Sequence, residues 1–129
     1  MGAIFALKGY RTQFLYSLYK ILSEYNNGYI FQPEGKFEDL DILDANNSYI
    51  EIIQIKNKSN PLVYSDLISK KTSFFQRASN VLNHSPNVIV KLVSFNEISD
   101  ELTNKEKLQK KLTKSGLKKT VIDKIIQNF

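Results

Sequence analysis

Four polar side chains have the types and the spacing to act together on a phosphate group. Asp39 and Asp41 are two residues apart, as are Gln54 and Lys56, and each pair lies in a segment that reads as a β-strand. Successive side chains of a strand alternate between its two sides, so each pair projects from one face. A hairpin of the two strands would bring two carboxylates, an amide and an ammonium group to one point.

The loop between the two strands sets their register. If Asp44 pairs with Tyr49 across a four-residue turn, Asp39 falls directly opposite Gln54, and Asp41 lies one diagonal away. A loop shifted by two residues would place Asp41 opposite Gln54 instead. The loop residues all tolerate turn backbone, so both aspartates stay candidates.

Oxygen donors and a lysine in this arrangement suit a magnesium site that acts on phosphodiesters. Magnesium prefers oxygen ligands, takes one or two carboxylates from the protein, and keeps several waters together with substrate phosphate oxygens. The oxygen donors of this stretch are Glu34, Glu38, Asp39, Asp41 and the side-chain carbonyl of Gln54. Lys56, on the face of Gln54, could stabilise an attacking hydroxide or the charge that grows on phosphate. The same residues also fit a plain salt bridge between an acidic strand and a lysine, and the pattern alone does not separate these two interpretations.

Composition excludes several other kinds of site. The chain has no cysteine and a single histidine, His84, so disulfides, cysteine catalysis and cysteine zinc sites are ruled out, and a histidine cluster is not expected. His84 follows a helical pattern and is expected at a helix end or on the surface. No apolar run approaches the roughly 20 residues that span a bilayer, and the opening residues do not read as a secretory signal. We therefore expect a cytoplasmic protein with no membrane partner.

The positive charge is concentrated in one part of the chain. Residues 103–129 carry eight lysines and two acidic residues, a net charge of +6, which leaves −1 for residues 1–102 out of the total of +5. A basic segment suggests a polyanionic partner, although a solvated helix face has the same composition. We expect a core domain over residues 1–102 and a basic helical extension over 103–129 that leads towards a further domain. The apolar stripes of the extension also suit an oligomerisation segment.

Hydrophobic periodicity predicts an α/β protein in which a helix, two or three strands, a helix and a strand precede a helical C-terminal segment. The predicted elements are a helix over residues 9–25, a short strand over 29–31, strands over 37–43 and 49–56, a helix over 65–83, a strand over 87–95, a helix from Thr103 with a Thr103–Glu106 capping box, and a last helix after Gly116. Residues 1–8 are expected to form a short arm or strand. The strand over 49–56 is apolar on both faces, which is typical of a central, covered strand.

The first predicted helix carries an apolar stripe that we expect to pack on the sheet. Its members are Phe14, Leu15, Leu18, Ile21, Leu22 and Tyr25. Gln13 lies beside this stripe, where it could serve either as a surface residue or as a hydrogen-bond donor to the sheet.

The order of these motifs resembles the PD-(D/E)XK nuclease superfamily in its Gln-x-Lys form. Gln13 lies on the opening helix, Glu34 and the two aspartates follow, and Gln54-Ile55-Lys56 ends a strand. More narrowly, GYRTQFLYSLYKIL followed by EGKFEDLDIL and IEIIQIK is similar to the N-terminal double-stranded DNA endonuclease domains of bacterial anti-phage proteins, which occur in CBASS effectors and antiviral STAND NTPases. The resemblance covers residues 9 to about 95.

This resemblance implies a restriction-endonuclease-like core, with a mixed central sheet flanked by helices, that cleaves double-stranded DNA with Mg²⁺ or, as a substitute, Mn²⁺. It implies a bacterial defence protein that is activated by a sensor module and is expected to act as a homo-oligomer. Asp39 or Asp41 would be the metal-binding acid, Gln54 would occupy the second ligand position, Lys56 would be the catalytic lysine, and Gln13 and Glu34 would be auxiliary. The residues expected to contact DNA phosphates are Lys58, Lys70, Lys71 and Arg77.

A second hypothesis belongs to a different functional class. Gln54 stands where the commoner superfamily pattern has an acid, and a neutral amide is a weaker magnesium ligand than a carboxylate. A catalytically silent, nuclease-like module that binds nucleic acid or mediates assembly is therefore the alternative to an active endonuclease.

Overall fold

A computed structural model describes residues 2–57, 60–68 and 73–128, and within these ranges the side chains of residues 2–9, 26 and 128 are not described. The elements in chain order are α1 (Gly2–Glu24), a 3-10 turn (Tyr25–Asn27), β1 (Ile30–Pro33), β2 (Leu40–Leu43), β3 (Tyr49–Lys56), α2 (Ser65–Ile68), α3 (Phe74–His84), β4 (Ile89–Ser94), α4 (Asp100–Thr103), α5 (Lys105–Lys114) and α6 (Lys119–Asn128).

The four strands form one mixed sheet in the order β1-β2-β3-β4. β1, β2 and β3 are antiparallel neighbours, and β4 joins β3 in parallel after the crossover through α2 and α3. Helices cover both faces, so the expectation of an α/β protein with a mixed central sheet is confirmed. β3 lies between two strands and is buried over most of its length, which agrees with its apolar pattern.

The β2–β3 register is the first of the two predicted alternatives. Leu40 pairs with Ile53 and Asp41 with Ile52, a register that, extended by one residue, sets Asp39 opposite Gln54. The predicted pairing of Asp44 with Tyr49 is wrong, because an irregularity after Ile42 pairs Tyr49 with Leu43 instead. The Asp44 carboxylate is used within the turn, where it accepts hydrogen bonds from two backbone N–H groups, those of Asn46 and Ser48.

The helix α1 presents to the sheet a different face from the one its apolar stripe predicts. Thr12 and Ser17 are buried, whereas Phe14 and Leu22 are 66% and 64% exposed. Polar contacts set this orientation: Asn57 donates to the Thr12 hydroxyl at 2.8 Å, and the Lys20 ammonium lies 3.4 Å from the Glu51 carboxylate on β3. The prediction that the stripe packs on the sheet is therefore wrong. The helix also starts at Gly2, so the expected arm or strand over residues 1–8 is wrong for residues 2–8.

The C-terminal helices contribute to the main hydrophobic core. This core lies between the sheet and α3, α5 and α6, and a smaller cluster lies under α1. Leu108, Leu112, Val121 and Ile125 are at most 2% exposed and share the main core with residues of β3, α3 and β4. Residues on both sides of the expected boundary at 102 share this core, and the buried apolar side chains of α5 and α6 are part of it.

Two helix boundaries differ from their predictions. The side chain of Asn104, not that of Thr103, caps α5 by accepting a hydrogen bond from the N–H of Lys107, because Thr103 is the last residue of the preceding helical turn. The single helix predicted over 65–83 is two helices, since Ser73 has an extended backbone and α3 begins after it. His84 ends α3 and is exposed, as predicted. None of the helices that the structure describes is long and apolar enough to cross a bilayer.

Because α5 is buried in the core and the apolar stripe of α1 is exposed, the same substitution should have a large effect in α5 and a small one in α1. Leu112→Ala removes a fully buried side chain and should lower the free energy of unfolding by about 3 kcal/mol. Leu22→Ala removes a side chain that is mostly exposed and should change it by less than about 0.5 kcal/mol. Urea unfolding of dilute protein measures both, and a Leu22→Ala loss equal to that of Leu112→Ala would contradict this fold.

Candidate active site

An open cleft of about 430 Å³ lies where the loop after β1, the end of β3, α1 and α3 meet. The predicted residues Gln13, Glu34, Asp39, Gln54 and Lys56 all line it. The hairpin register accounts for the pairing of Asp39 with Gln54, whereas Gln13 and Glu34 reach the cleft from α1 and from the loop after β1. Arg77 of α3 also lines the cleft.

Asp39 is the acceptor at the centre of the cleft. Its Oδ2 accepts hydrogen bonds from the Gln54 side-chain amide at 2.9 Å and from the backbone N–H of Ile55 at 2.8 Å. Its Oδ1 accepts one from the Gln13 side chain at 3.2 Å. A carboxylate offers about four lone-pair positions, and the described residues use three of those of Asp39, which leaves one on Oδ1 for a further partner.

The orientation of the Gln54 amide follows from its two neighbours. A carboxylate only accepts hydrogen bonds and a guanidinium only donates them. The Gln54 NH₂ group must therefore face Asp39, and its oxygen must face Arg77, whose Nη2 donates to it. The side-chain oxygen of Gln54, which was predicted as a metal ligand, therefore accepts a hydrogen bond from Arg77 of α3. Arg77 leaves the second lone pair of this oxygen for another partner.

Glu38 is the buried partner of Arg77. The guanidinium donates from Nε to Oε1 at 2.7 Å and from Nη2 to Oε2 at 3.2 Å, and the Glu38 side chain is only 2% exposed. Burial raises the pKa of Glu38 to about 7, against the opposing effect of Arg77 and with further increases from Asp39 and Asp41. Arg77 was predicted as a DNA contact, but its described contacts hold Glu38 and Gln54 in place.

Asp41 is fully buried and does not line the cleft. Its carboxylate accepts hydrogen bonds from the backbone N–H groups of Phe37 and Glu38 at 2.9 and 3.0 Å. A Cβ added to Gly35 would lie 2.3 Å from Asp41 Oδ2, so the glycine allows the loop to close over this carboxylate. The structure therefore gives Asp41 the task of holding the bend that presents Asp39 and Glu34.

Lys56 and Glu34 supply the charges that face Asp39. Burial raises the pKa of Asp39, and Glu34 raises it further, whereas the Ile55 N–H and the positive charges of Lys56 and Arg77 lower it. Among the described residues, the Lys56 ammonium has no hydrogen bond or ion pair. It is therefore available to an anionic ligand in the cleft.

The donors in the cleft fit a hard divalent cation that keeps most of its waters. Asp39 Oδ1 has a free lone pair, and Glu34 is an exposed carboxylate of the same cleft. One or two carboxylates are what magnesium takes from a protein. The part of the chain that the structure describes holds no group of three or more acidic or histidine side chains placed for a metal, so an all-protein cage is not what this cleft offers.

The structure does not describe the remaining predicted DNA contacts. Lys58, Lys70 and Lys71 fall outside the described residues. Sequence reasoning did not assign Arg77 its place beside Gln54, because its position on a helix that flanks the sheet carries no signal for this contact.

Comparison of the chain with protein-family models, with curated proteins and with solved structures gives no match.

The raised pKa of Glu38 predicts a pH-dependent stability. Its pKa is about 7 in the folded chain against a reference value of 4.5, so the folded state holds this proton over that interval and the unfolded state does not. The contribution is complete below about pH 4.5 and is lost as the pH rises through 7. Relative to Glu38→Gln, the wild type should lose on the order of 2 kcal/mol between pH 5 and pH 8. Urea titrations in EDTA measure this, and a constant difference between the two proteins would contradict it.

Proposed function

We propose that this chain is a metal-dependent endonuclease domain of the PD-(D/E)XK superfamily, in the Gln-x-Lys form, that cleaves double-stranded DNA. The observation that carries the proposal is the bonding of Asp39 to both the Gln54 side chain and the Ile55 backbone. It joins the acid to the Gln-x-Lys motif, and Lys56 lines the same cleft. A plain salt bridge would instead need Lys56 bonded to an acid, and no such contact is present among the described residues.

The arrangement of elements supports a restriction-endonuclease-like core. A helix precedes three antiparallel strands, and a helical crossover adds a fourth strand in parallel. Gln54 and Lys56 lie at the end of the central strand β3, and Gln13 of α1 donates a hydrogen bond to Asp39, which also accepts one from Gln54. A mixed sheet flanked by helices in this way is what the resemblance to PD-(D/E)XK nucleases implies.

The proposed mechanism assigns each side chain one task. Bound Mg²⁺ would supply positive charge that polarises a phosphodiester oxygen, with Asp39 and Glu34 as the residues that hold it and Gln54 completing the set. Gln13 and the Ile55 N–H orient the Asp39 carboxylate, and Arg77 fixes the direction of the Gln54 amide. The Lys56 ammonium, with three donor positions, stabilises the negative charge that develops on the phosphate.

We propose DNA as the substrate because a protein can bind it through its phosphates, by contacts that do not depend on the base sequence. The exposed lysines of α5 and α6 provide positive charge outside the cleft, and binding of this kind weakens steeply with added salt. The similarity to anti-phage effector domains makes a role in bacterial defence, within a larger sensor protein, part of the proposal.

Plasmid cleavage in Mg²⁺ tests the nuclease assignment. Lys56→Met and Asp39→Asn should each lower the rate at least about a hundredfold, because the first removes the positive charge that stabilises the transition state and the second removes a carboxylate that holds the metal. The rate of conversion of supercoiled to nicked and linear plasmid measures this in the full protein under activating conditions.

Two matched variants act as controls. Lys91→Met removes a lysine of the neighbouring strand whose ammonium pairs with Glu51, and Asp44→Asn changes the aspartate of the β2–β3 turn. Both should cleave at the wild-type rate. Cleavage that survives in Lys56→Met, or that is lost equally in Lys91→Met, would sink the proposed function.

One observation favours the silent module as a second candidate. The Gln54 oxygen already accepts a hydrogen bond from Arg77, which reduces what it can offer a metal. That candidate predicts DNA binding that is equal in EDTA and in Mg²⁺, with no cleavage in either. The endonuclease hypothesis predicts cleavage in Mg²⁺ and none in EDTA.

A further inference from the structure

One side of α1 carries an unusually large apolar surface. Among the residues that the structure describes, seven of the eleven exposed large apolar side chains lie between residues 10 and 25. These seven, here called the α1 outer face, are Tyr10, Phe14, Leu15, Leu18, Tyr19, Leu22 and Tyr25. The face is continuous because six of its members recur at three- and four-residue spacing on α1, and Tyr25 follows in the 3-10 turn that continues the helix.

The size of this face matches one side of a protein–protein interface. The seven residues are each between 42% and 66% exposed, so their combined exposed area, tyrosine hydroxyls and backbone included, is on the order of the ~800 Å² that each partner contributes to a standard interface. A surface of this area is therefore large enough for stable association.

The α1 outer face has both projections and recesses. A cavity of about 400 Å³ lies on one side of α1, where Phe14, Leu18 and Pro33 line it, and it borders the candidate active site at Glu34 and Asp39. A second of about 440 Å³ lies on the other side, lined by Leu15, Tyr19 and Phe95 among others. Side chains that project from a helix fit grooves of this kind on a second helix, and a surface that carries both can match itself about a two-fold axis.

The charge of α1 also suits a copy of itself. Lys20 is paired with Glu24 at 2.9 Å and with Glu51 at 3.4 Å, and its side chain is only 12% exposed. Among the described side chains, Arg11 is exposed next to the face and the exposed Glu34 lines one of its cavities. These charges are few and of opposite sign, so two copies would bring few like charges together. A strongly charged partner such as DNA would find little to bind here.

We infer that the α1 outer face is the contact between two copies of this chain, which pack α1 against α1 about a two-fold axis. This dimer does not depend on the proposed nuclease activity. The apolar stripes of α5 and α6, which suggested self-association in the sequence, are buried in the core and are not part of the contact.

Sedimentation of the wild-type chain from micromolar to submillimolar concentration tests the dimer. The wild type should pass from monomer to dimer with rising concentration. Leu22→Lys should raise the dissociation constant about a hundredfold, because the symmetric contact loses two leucines at once. The double variant Leu15→Lys, Leu22→Lys should remain monomeric, and Ile98→Lys, which changes an exposed isoleucine away from α1, should dimerise like the wild type.

A cysteine scan gives a second measurement that needs no destabilised interface. The chain has no cysteine of its own, and Leu18 lies near the middle of the α1 outer face, where a two-fold axis sets it opposite itself. Leu18→Cys should form a disulfide-linked dimer under mild oxidation, and Ile98→Cys should not. A wild type that stays monomeric over the whole range, or cross-linking that is equal at both positions, would overturn the inference.

Discussion

The carboxylate of Asp39 is the interaction on which the arrangement of the cleft depends. It accepts hydrogen bonds from Gln13 of α1 and from the side chain of Gln54 and the backbone of Ile55 on β3. Hydrogen bonds to a charged group each contribute about 1.5–3 kcal/mol, so they fix α1 relative to the end of the central strand. The β2–β3 register makes this possible, because it sets Asp39 opposite Gln54. A shift by one residue would turn every side chain of the strand to the other face.

The other two buried carboxylates near Asp39, those of Glu38 and Asp41, each have their own hydrogen-bond donors. Glu38 is almost completely buried and stays next to Arg77, which also holds the Gln54 oxygen. Removing one partner of a buried ion pair is strongly destabilising, so Arg77 has a structural reason to remain where it limits the Gln54 carbonyl. Asp41 is satisfied by loop amides. What remains open to a ligand is therefore one side of Asp39, the exposed Glu34 and the ammonium group of Lys56, which has no partner within residues 2–57, 60–68 and 73–128.

The pairing of Asp39 with Gln54 in the cleft could be predicted from the sequence, whereas the packing of the surrounding helices could not, and the reasons are physical. Strand alternation and loop length have few solutions, so the pairing of Asp39 with Gln54 could be derived, although Asp41 could be separated from Asp39 only by the loop that closes over it at Gly35. A helical apolar stripe shows that a face is to be covered but not what covers it. The stripe of α1 is exposed, while those of α5 and α6 are in the core. Arg77 contacts Glu38 across 39 residues, a separation that no local pattern reports.

The most direct measurement of the central claim is the position of a bound metal. A crystal of the protein grown with Mn²⁺ should show an anomalous difference peak in the cleft, on the Oδ1 side of Asp39 and beside Glu34, with the Lys56 ammonium facing the same space. The peak should disappear in Asp39→Asn crystals. A peak bound to Asp41 beneath the loop, or no peak in the cleft at saturating Mn²⁺, would contradict the account.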